Sequence, residues 1–441
     1  MTSSFTIVRL TRALAPWLLL LLWVLPLQAG TPLADGTLTM REAFAHALEQ
    51  NPDYRSSLLE RDRLLARRTG ALGWEAPEVS YLREGLGGGV AAPGEERWTL
   101  TQEVPSLAAV SKRRGSLRSM LDAAGQTTEA ARRQLRARVK AAYAGVVHQE
   151  RLVSLRRDEL RLARRADAAV SLRLELGEAS RRESLQSHLA VVAARNDLQE
   201  AEAAFDRARY ALFAVIGLEP EAQEYGVEFP DTLRFEPVDF TQEESLEQLV
   251  TQPRYLAAQA ILKAAEAELS AESWSLVPSL SVSVYLQNYD GAGYDRHGFE
   301  VGARLPLWFL PGQRGRVGEA RAEVARSRWL QTAELLDMKR EIEQAWHGYD
   351  ASLAVLESLA GETLSQSREL LTLAFEGYNA GEATLFELIA AQQTDIESRL
   401  RYQNALYDFN LRLITLENYL PGELVSPVDP VTSLTASKGD Q

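Results

Sequence analysis

Cysteine is absent from the whole 441-residue chain. That excludes a disulfide framework, a thiol nucleophile, a thiolate metal site and a lipid carried on an N-terminal cysteine. Histidine is nearly as scarce: His46, His148, His188, His297 and His347 are scattered, with no pair at the i, i+3 or i+4 spacing of a metal site. With four methionines, one of them the initiator, a soft-metal relay is unsupported as well, and no metal and no cofactor is expected. No G-x-S-x-G, phosphate-loop or zinc-protease pattern occurs. "EGLGGGV" is followed by neither Gly-Lys-Ser/Thr nor a helix, and reads as a flexible loop. An enzyme is therefore the remotest reading.

Long hydrophobic runs are lacking too, except one. Arg9 and Arg12 precede an apolar run from Ala13 to Leu27, and Leu27-Gln28-Ala29 ends it with a small residue, as a secretory signal peptide over residues 1–29 would. The run is about 15 residues, short of the roughly 20 that a membrane-anchoring helix needs. Export of the mature chain is expected. The formal charge is −13, and losing Arg9 and Arg12 takes it to about −15, so nucleic acid is not an expected partner.

What the chain does contain is itself, twice. Pro52, Tyr54, Pro77, Pro105 and Arg113 recur 201 positions later as Pro253, Tyr255, Pro278, Pro306 and Arg314. The offset grows to 203 at Val139 and Ile342, and to 204 where Gly177-Glu178-Ala179-Ser180 with Glu183 meets Gly381-Glu382-Ala383-Thr384 with Glu387. A period this long describes a duplicated half-protein and not a solenoid.

Each half reads in one order. A helix opens at Pro52 or Pro253, with Asn51 or Gln252 before it. Two strands follow. In the second half Leu280, Val282, Val284 and Leu286, then Phe299, Val301, Ala303 and Leu305, alternate with polar or small residues, which gives strands with one apolar face. The first half is less regular: "EVSYLREGL" mixes charges into both faces, while Trp98, Leu100 and Val104 share a side. Glycine-containing loops, "GGGVAAPG" and "NYDGAGYDR", separate the strands. Trp74, Trp98, Trp274 and Trp308 lie beside or inside them, where interfacial anchoring and ordinary packing both fit.

A long helix comes next, from about Leu107 to Leu176 and from about Gly315 to Ala380, with a coiled-coil seam through Leu135, Val139, Ala142, Val146 and Val153. Gly177 and Gly381 end these helices in the left-handed conformation. Ser180 and Thr384 start antiparallel partners as N-caps, and Glu183 and Glu387 complete capping boxes. The returning helices, about 180–216 and 384–420, are expected to lie back along the long ones through Leu185, Leu189, Val192 and Leu212, or Leu385, Leu388, Ile396, Leu400 and Leu406.

Length then limits the architecture. A helix of roughly 70 residues runs about 105 Å and a returning helix of roughly 37 about 55 Å, so the opening helix must stack end to end with the returning one to match it. Four strands of about ten residues cannot close a barrel, and an open edge cannot sit in lipid. Two chains would give eight strands and three would give twelve. A small soluble sheet capping a coiled coil is the alternative.

These features, with "LTMREAFAHALEQNPDY" near the mature start and "GYNAGEATLFELIAAQQTDIESRLRYQNALYDFNLRLITLENYLPG" near the end, resemble the TolC-type outer membrane efflux factors over Leu38 to Leu424. "TQEVPSLAAVSKRRGSLRS" is similar to the strand-to-helix crossing of the CzcC/CusC heavy-metal branch, with Ala109 and Val110 where that branch often has a glycine pair. The resemblance implies a mainly α fold with membrane β: a homotrimer whose four strands per chain share a 12-stranded outer-membrane barrel, continued by a coiled-coil α-helical barrel across the periplasm. It further implies that Gly177, Glu178, Ala179, Ser180, Gly381, Glu382, Ala383 and Thr384 are tips meeting a periplasmic adaptor, itself joined to an inner-membrane pump. The face of Leu280, Val282, Val284, Leu286, Phe299, Val301 and Leu305 would meet outer-membrane lipid.

The family often narrows its tunnel with acids on the descending helix; Glu369 and Glu376 are the nearest acids before Gly381. The implied organisation is a signal peptide (1–29), a first repeat (30–217), an acidic, proline-containing equatorial connector (218–241), a second repeat (242–420) and a flexible tail (421–441). A passive exit duct is the function expected; a periplasmic adaptor or coiled-coil structural protein is the alternative.

Overall fold

A computed structural model describes residues 36–70, 76–84, 94–219, 227–238, 240–274, 277, 279–289, 295–304 and 310–420. The expected signal peptide, the glycine-rich loop at 87–93, Trp74, Pro278, Leu305, Pro306, Trp308 and the tail from 421 lie outside the described residues.

The elements are α1 (Met40–Gln50), α2 (Pro52–Gly70), β1 (Glu78–Glu84), β2 (Glu95–Val104), α3 (Leu107–Glu175), α4 (Arg181–Ile216), α5 (Gln242–Glu247), α6 (Pro253–Trp274), β3 (Ser279–Tyr289), β4 (Asp295–Arg304), α7 (Leu310–Ser358), α8 (Leu364–Ala380) and α9 (Leu385–Glu417). A 3₁₀ turn, Gln248–Thr251, joins α5 to α6, and a π-helical turn, Leu359–Thr363, joins α7 to α8.

The opening helices start at Pro52 and Pro253 as the sequence implies, and each is set off from the helical segment before it because the residue before a proline is pushed out of the helical region: Asn51 (ψ 122°) and Gln252 (ψ 142°) are both extended. Two expectations are corrected. The second long helix starts at Leu310 instead of Gly315, and the π turn interrupts it. Finally, Leu185, Leu189 and Val192 do not pack on the long helix. Ser187, Val191 and Ala194 form that seam, with Leu160 and Ala163 of α3, and the three apolar residues occupy the far side of α4. A helix with apolar residues on two sides gives no local sign of which side its own chain covers.

The remaining seam residues sit as the spacing implies. Leu135, Val139, Val146 and Val153 are buried on α3, with Ala142 half-buried; Leu212, Leu385, Leu388, Ile396 and Leu406 are buried on the returning helices.

The proline junctions do more than end helices. Asn51 Oδ1 accepts from the Tyr54 N–H, capping α2, while Asn51 Nδ2 donates to the Val215 carbonyl at the end of α4 (2.8 Å). Gln252 Nε2 likewise donates to the Tyr419 carbonyl just past α9 (3.0 Å), and its Oε1 accepts from Arg133 (2.8 Å). Each returning helix thus meets an opening helix at a polar joint, the end-to-end arrangement that helix length requires.

Residues 227–238 of the connector are tied to the helices. Glu228 bridges to Thr37, the Met40 N–H donates to Asp231, and Tyr143 donates to the Leu38 carbonyl (2.8 Å) while its ring meets Phe229 edge-on. Leu233, Phe235 and Val238 pack against the larger core cluster, which includes Met338, Ile342, Trp346, Tyr349, Phe409 and Leu413.

Candidate functional site

The four strands form one antiparallel sheet in the order β1-β2-β3-β4. Register fixes its faces. Tyr81, Trp98 and Leu286 are directly opposite in turn, as are Val79, Leu100, Val284 and Phe299, and then Val282 and Val301. All of these are exposed, Leu286 by 62% and Phe299 by 76%, so they form a contiguous apolar patch on one side of the sheet, with Gln102 opposite Val282, His297 opposite Leu286 and the Arg83–Glu96 ion pair at its margins.

The charges that obscure β1 in the sequence belong mostly to the other side. There Thr101 and Ser283 share a hydrogen bond (2.9 Å), Arg97 Nη2 meets Glu95 Oε1 (2.8 Å), Gln287 donates to Glu95, and the Arg97 guanidinium lies over the Tyr285 ring (5.2 Å). Ser283 and Gln287 are buried within this polar layer. A sheet that exposes apolar residues and packs polar ones is inverted relative to a soluble sheet. Among the described residues, neither outer strand has a partner on its free edge.

The two helical turns share one construction. The Glu178 N–H donates to the Arg173 carbonyl and the Glu382 N–H to the Gly377 carbonyl, each 2.8 Å, closing Schellman motifs around Gly177 (φ 78°) and Gly381 (φ 77°). In the boxes that follow, the Ser180 N–H donates to Glu183 (2.6 Å) and the Thr384 N–H to Glu387 (2.7 Å). The Glu183 and Glu387 N–H groups donate back to the cap hydroxyls, each at 3.3 Å. Hydrogen bonds from the cap backbone and hydroxyl hold both carboxyls below the usual glutamate range.

Within one chain the turns are brought together. Val170, Tyr378, Leu385 and Leu388 form a buried cluster that both turn alanines, Ala179 and Ala383, join, and Arg173 lies 5.1 Å over the Tyr378 ring. The cation–π contact and the apolar cluster were not foreseen from the sequence, since Tyr378 and Arg173 belong to different halves. Replacing Ser180 or Thr384 with alanine is expected to cost about 1 kcal/mol each, read as faster amide exchange in the first turn of α4 or α9; unchanged protection would show that the box is not holding the turn.

Glu369 and Glu376 are both exposed on α8. Glu369 borders a 690 Å³ groove beside the π turn, lined also by Arg151, Asp158, Arg368 and Arg399, and Glu376 does not line it. Among the described residues no cluster of three or more potential metal ligands occurs, and no helix is long and apolar enough to cross a membrane. His148 is buried and stacked on Tyr407 (4.5 Å); burial lowers its pKa to about 4, against a hydrogen bond with Asn404 that raises it. It is a neutral core histidine.

Comparison with known proteins places these features. Residues 247–422 match the model of the outer membrane efflux protein family. The cobalt-zinc-cadmium resistance protein CzcC of Cupriavidus metallidurans is 25% identical over 301 residues, 66% of this chain and 70% of CzcC. The outer membrane protein VceC of Vibrio cholerae has the same fold at 15% identity, with a TM-score of 0.73 over 86% of this chain and 95% of that one. CusC matches at 18% identity, with a TM-score of 0.68 over 87% and 92%. With its second half matched by the family model and its sheet and helices arranged as in these solved channels, the chain is similar to the outer membrane efflux proteins and has the TolC-like fold.

Proposed function

We propose that this protein is the outer-membrane channel of a tripartite efflux system: a passive duct, made of three identical chains, through which a pump elsewhere drives its cargo. The observation that carries this reading is the sheet, apolar on its open face, polar on its packed face and, among the described residues, unpaired at both edges. In lipid every backbone N–H and C=O needs a partner, so β1 of one chain has to find β4 of another. Three sheets make twelve strands. The pieces 30–217 and 242–420 then act as structural repeats, 218–241 as the connector at mid-height, and 1–29 as the export signal of a chain destined for the outer membrane of a Gram-negative bacterium.

In this reading the paired turns at 177–180 and 381–384 face an adaptor, which links them to an inner-membrane pump. The name of CzcC associates that relative with cobalt, zinc and cadmium; we extend divalent metal ions to this chain as its cargo class. Fractionation and sizing test the proposal together. The protein should stay with the outer membrane, need detergent for release, and have the mass of three chains around detergent. A detergent-free monomer would overturn it.

A further inference from the structure

We infer that the subunit seam at the turn end of the duct is formed by α4 of one copy, through Arg182, Leu185 and Leu189, against α8 of the next, through Leu370, Leu373 and Glu376. The inference rests on the trimer proposed above and assigns its contact. Three observations carry it.

First, the turn-proximal parts of α3, α4, α8 and α9 leave only two outer helices. α4 packs on α3, α3 also on α9, and α9 also on α8; α4 has no second long neighbour, and α8 meets α3 only at the turn, where Arg173 lies over the Tyr378 ring. Second, both outer helices are apolar on the side turned away from their own chain. On α4, Leu185 is 51% and Leu189 65% exposed, opposite the Ser187, Val191 and Ala194 seam. On α8, Leu370 and Leu373 are exposed, while Leu371, Ala374 and Tyr378 face the cluster shared with α9.

Third, the heights agree. The turns are level, since Ala179 and Ala383 pack into one cluster, and rotation about an axis along the duct keeps a residue's height. At about 1.5 Å per residue, Leu189 lies about 13 Å above Ser180, and Leu373 about 12 Å above Gly381. Leu185 and Glu376 are each about 8 Å up, and Arg182 about 3 Å, within the span of its long side chain from Glu376. Arg182 and Glu376 are exposed, and neither makes an ion pair among the described residues. The two faces thus offer leucine to leucine and a cation to an anion, in a head-to-tail contact that closes after three copies. Glu376, expected from the sequence as part of a tunnel gate with Glu369, becomes a residue of the seam.

The absence of cysteine makes the test clean. With a short thiol-to-thiol cross-linker, Leu189→Cys combined with Leu373→Cys is expected to give covalent dimers and trimers on a denaturing gel, and either substitution alone none. Monomer only, from a particle of three-chain mass, overturns the seam and leaves the trimer standing; a particle of one-chain mass overturns both. Independently, Arg182→Glu is expected to increase dissociation more than about tenfold over three seams, and Glu376→Arg in the same chain to reverse it. Dissociation unaffected by either change removes the ion pair from the seam.

Discussion

Gly217→Val should lower the unfolding free energy by about 2–5 kcal/mol, more than any single-residue change at the exposed turns. Gly217 closes α4 with φ 84° and ψ 22°, a left-handed conformation. A side chain there costs about 1–2 kcal/mol. The position is also crowded: a Cβ would lie 2.6 Å from the Gln50 carbonyl oxygen and 2.7 Å from its carbon, both backbone atoms at the end of α1. These cannot swing aside as a flexible side chain would, and forced overpacking adds about 1–3 kcal/mol. Moving Gln50 would also drag Asn51, whose side chain joins α2 to the end of α4. Gly177→Ala separates the two terms, because Gly177 has nearly the same φ but open space around it; it should lose only about 1 kcal/mol. Chemical denaturation of the detergent-solubilised protein reads both. Equal losses at the two positions would mean that the α1–α4 joint yields, contrary to the geometry.

Local chemistry explains which of these features the sequence discloses. A capping box and a Schellman glycine act within six residues, so the turns at 177–183 and 381–387 are visible in the letters alone. Period-two alternation likewise marks β3 and the apolar residues of β4. β1 is opaque by itself, because Leu82 and Arg83 break its alternation; only pairing of Val79 with Leu100 and Tyr81 with Trp98 assigns its faces. The halves could be aligned, but the joints between them could not: Gly217 meets Gln50 from 167 positions away, and nothing near Gly217 announces a neighbour. Leu185, Leu189 and Val192 show the opposite failure. Their apolar spacing is plain, yet spacing cannot say whether a stripe is covered by the same chain or by another copy.

The largest loss from a polar substitution is expected at Lys140 and Glu417, which meet at 2.6 Å with side chains each 6% exposed. Lys140 sits in the middle of α3 among Val139, Tyr143 and Ala144, and Glu417 ends α9 beside Leu413 and Leu416. Lys140→Met takes the cation from beside a buried carboxylate, and Glu417→Leu takes the anion from beside a buried ammonium; either single change is expected to cost about 3–5 kcal/mol. The double variant Lys140→Met with Glu417→Leu should recover most of it, because desolvating both charges costs about as much as their attraction returns. Recovery separates two roles for the pair. If the double variant unfolds with the wild type and still assembles, the charges fix which segments meet without adding net stability, and α9 docks on α3 by its leucines. If it instead loses as much as the single variants combined, the two residues act through separate neighbours, and the 2.6 Å contact is not what joins the end of the second half to the middle of the first.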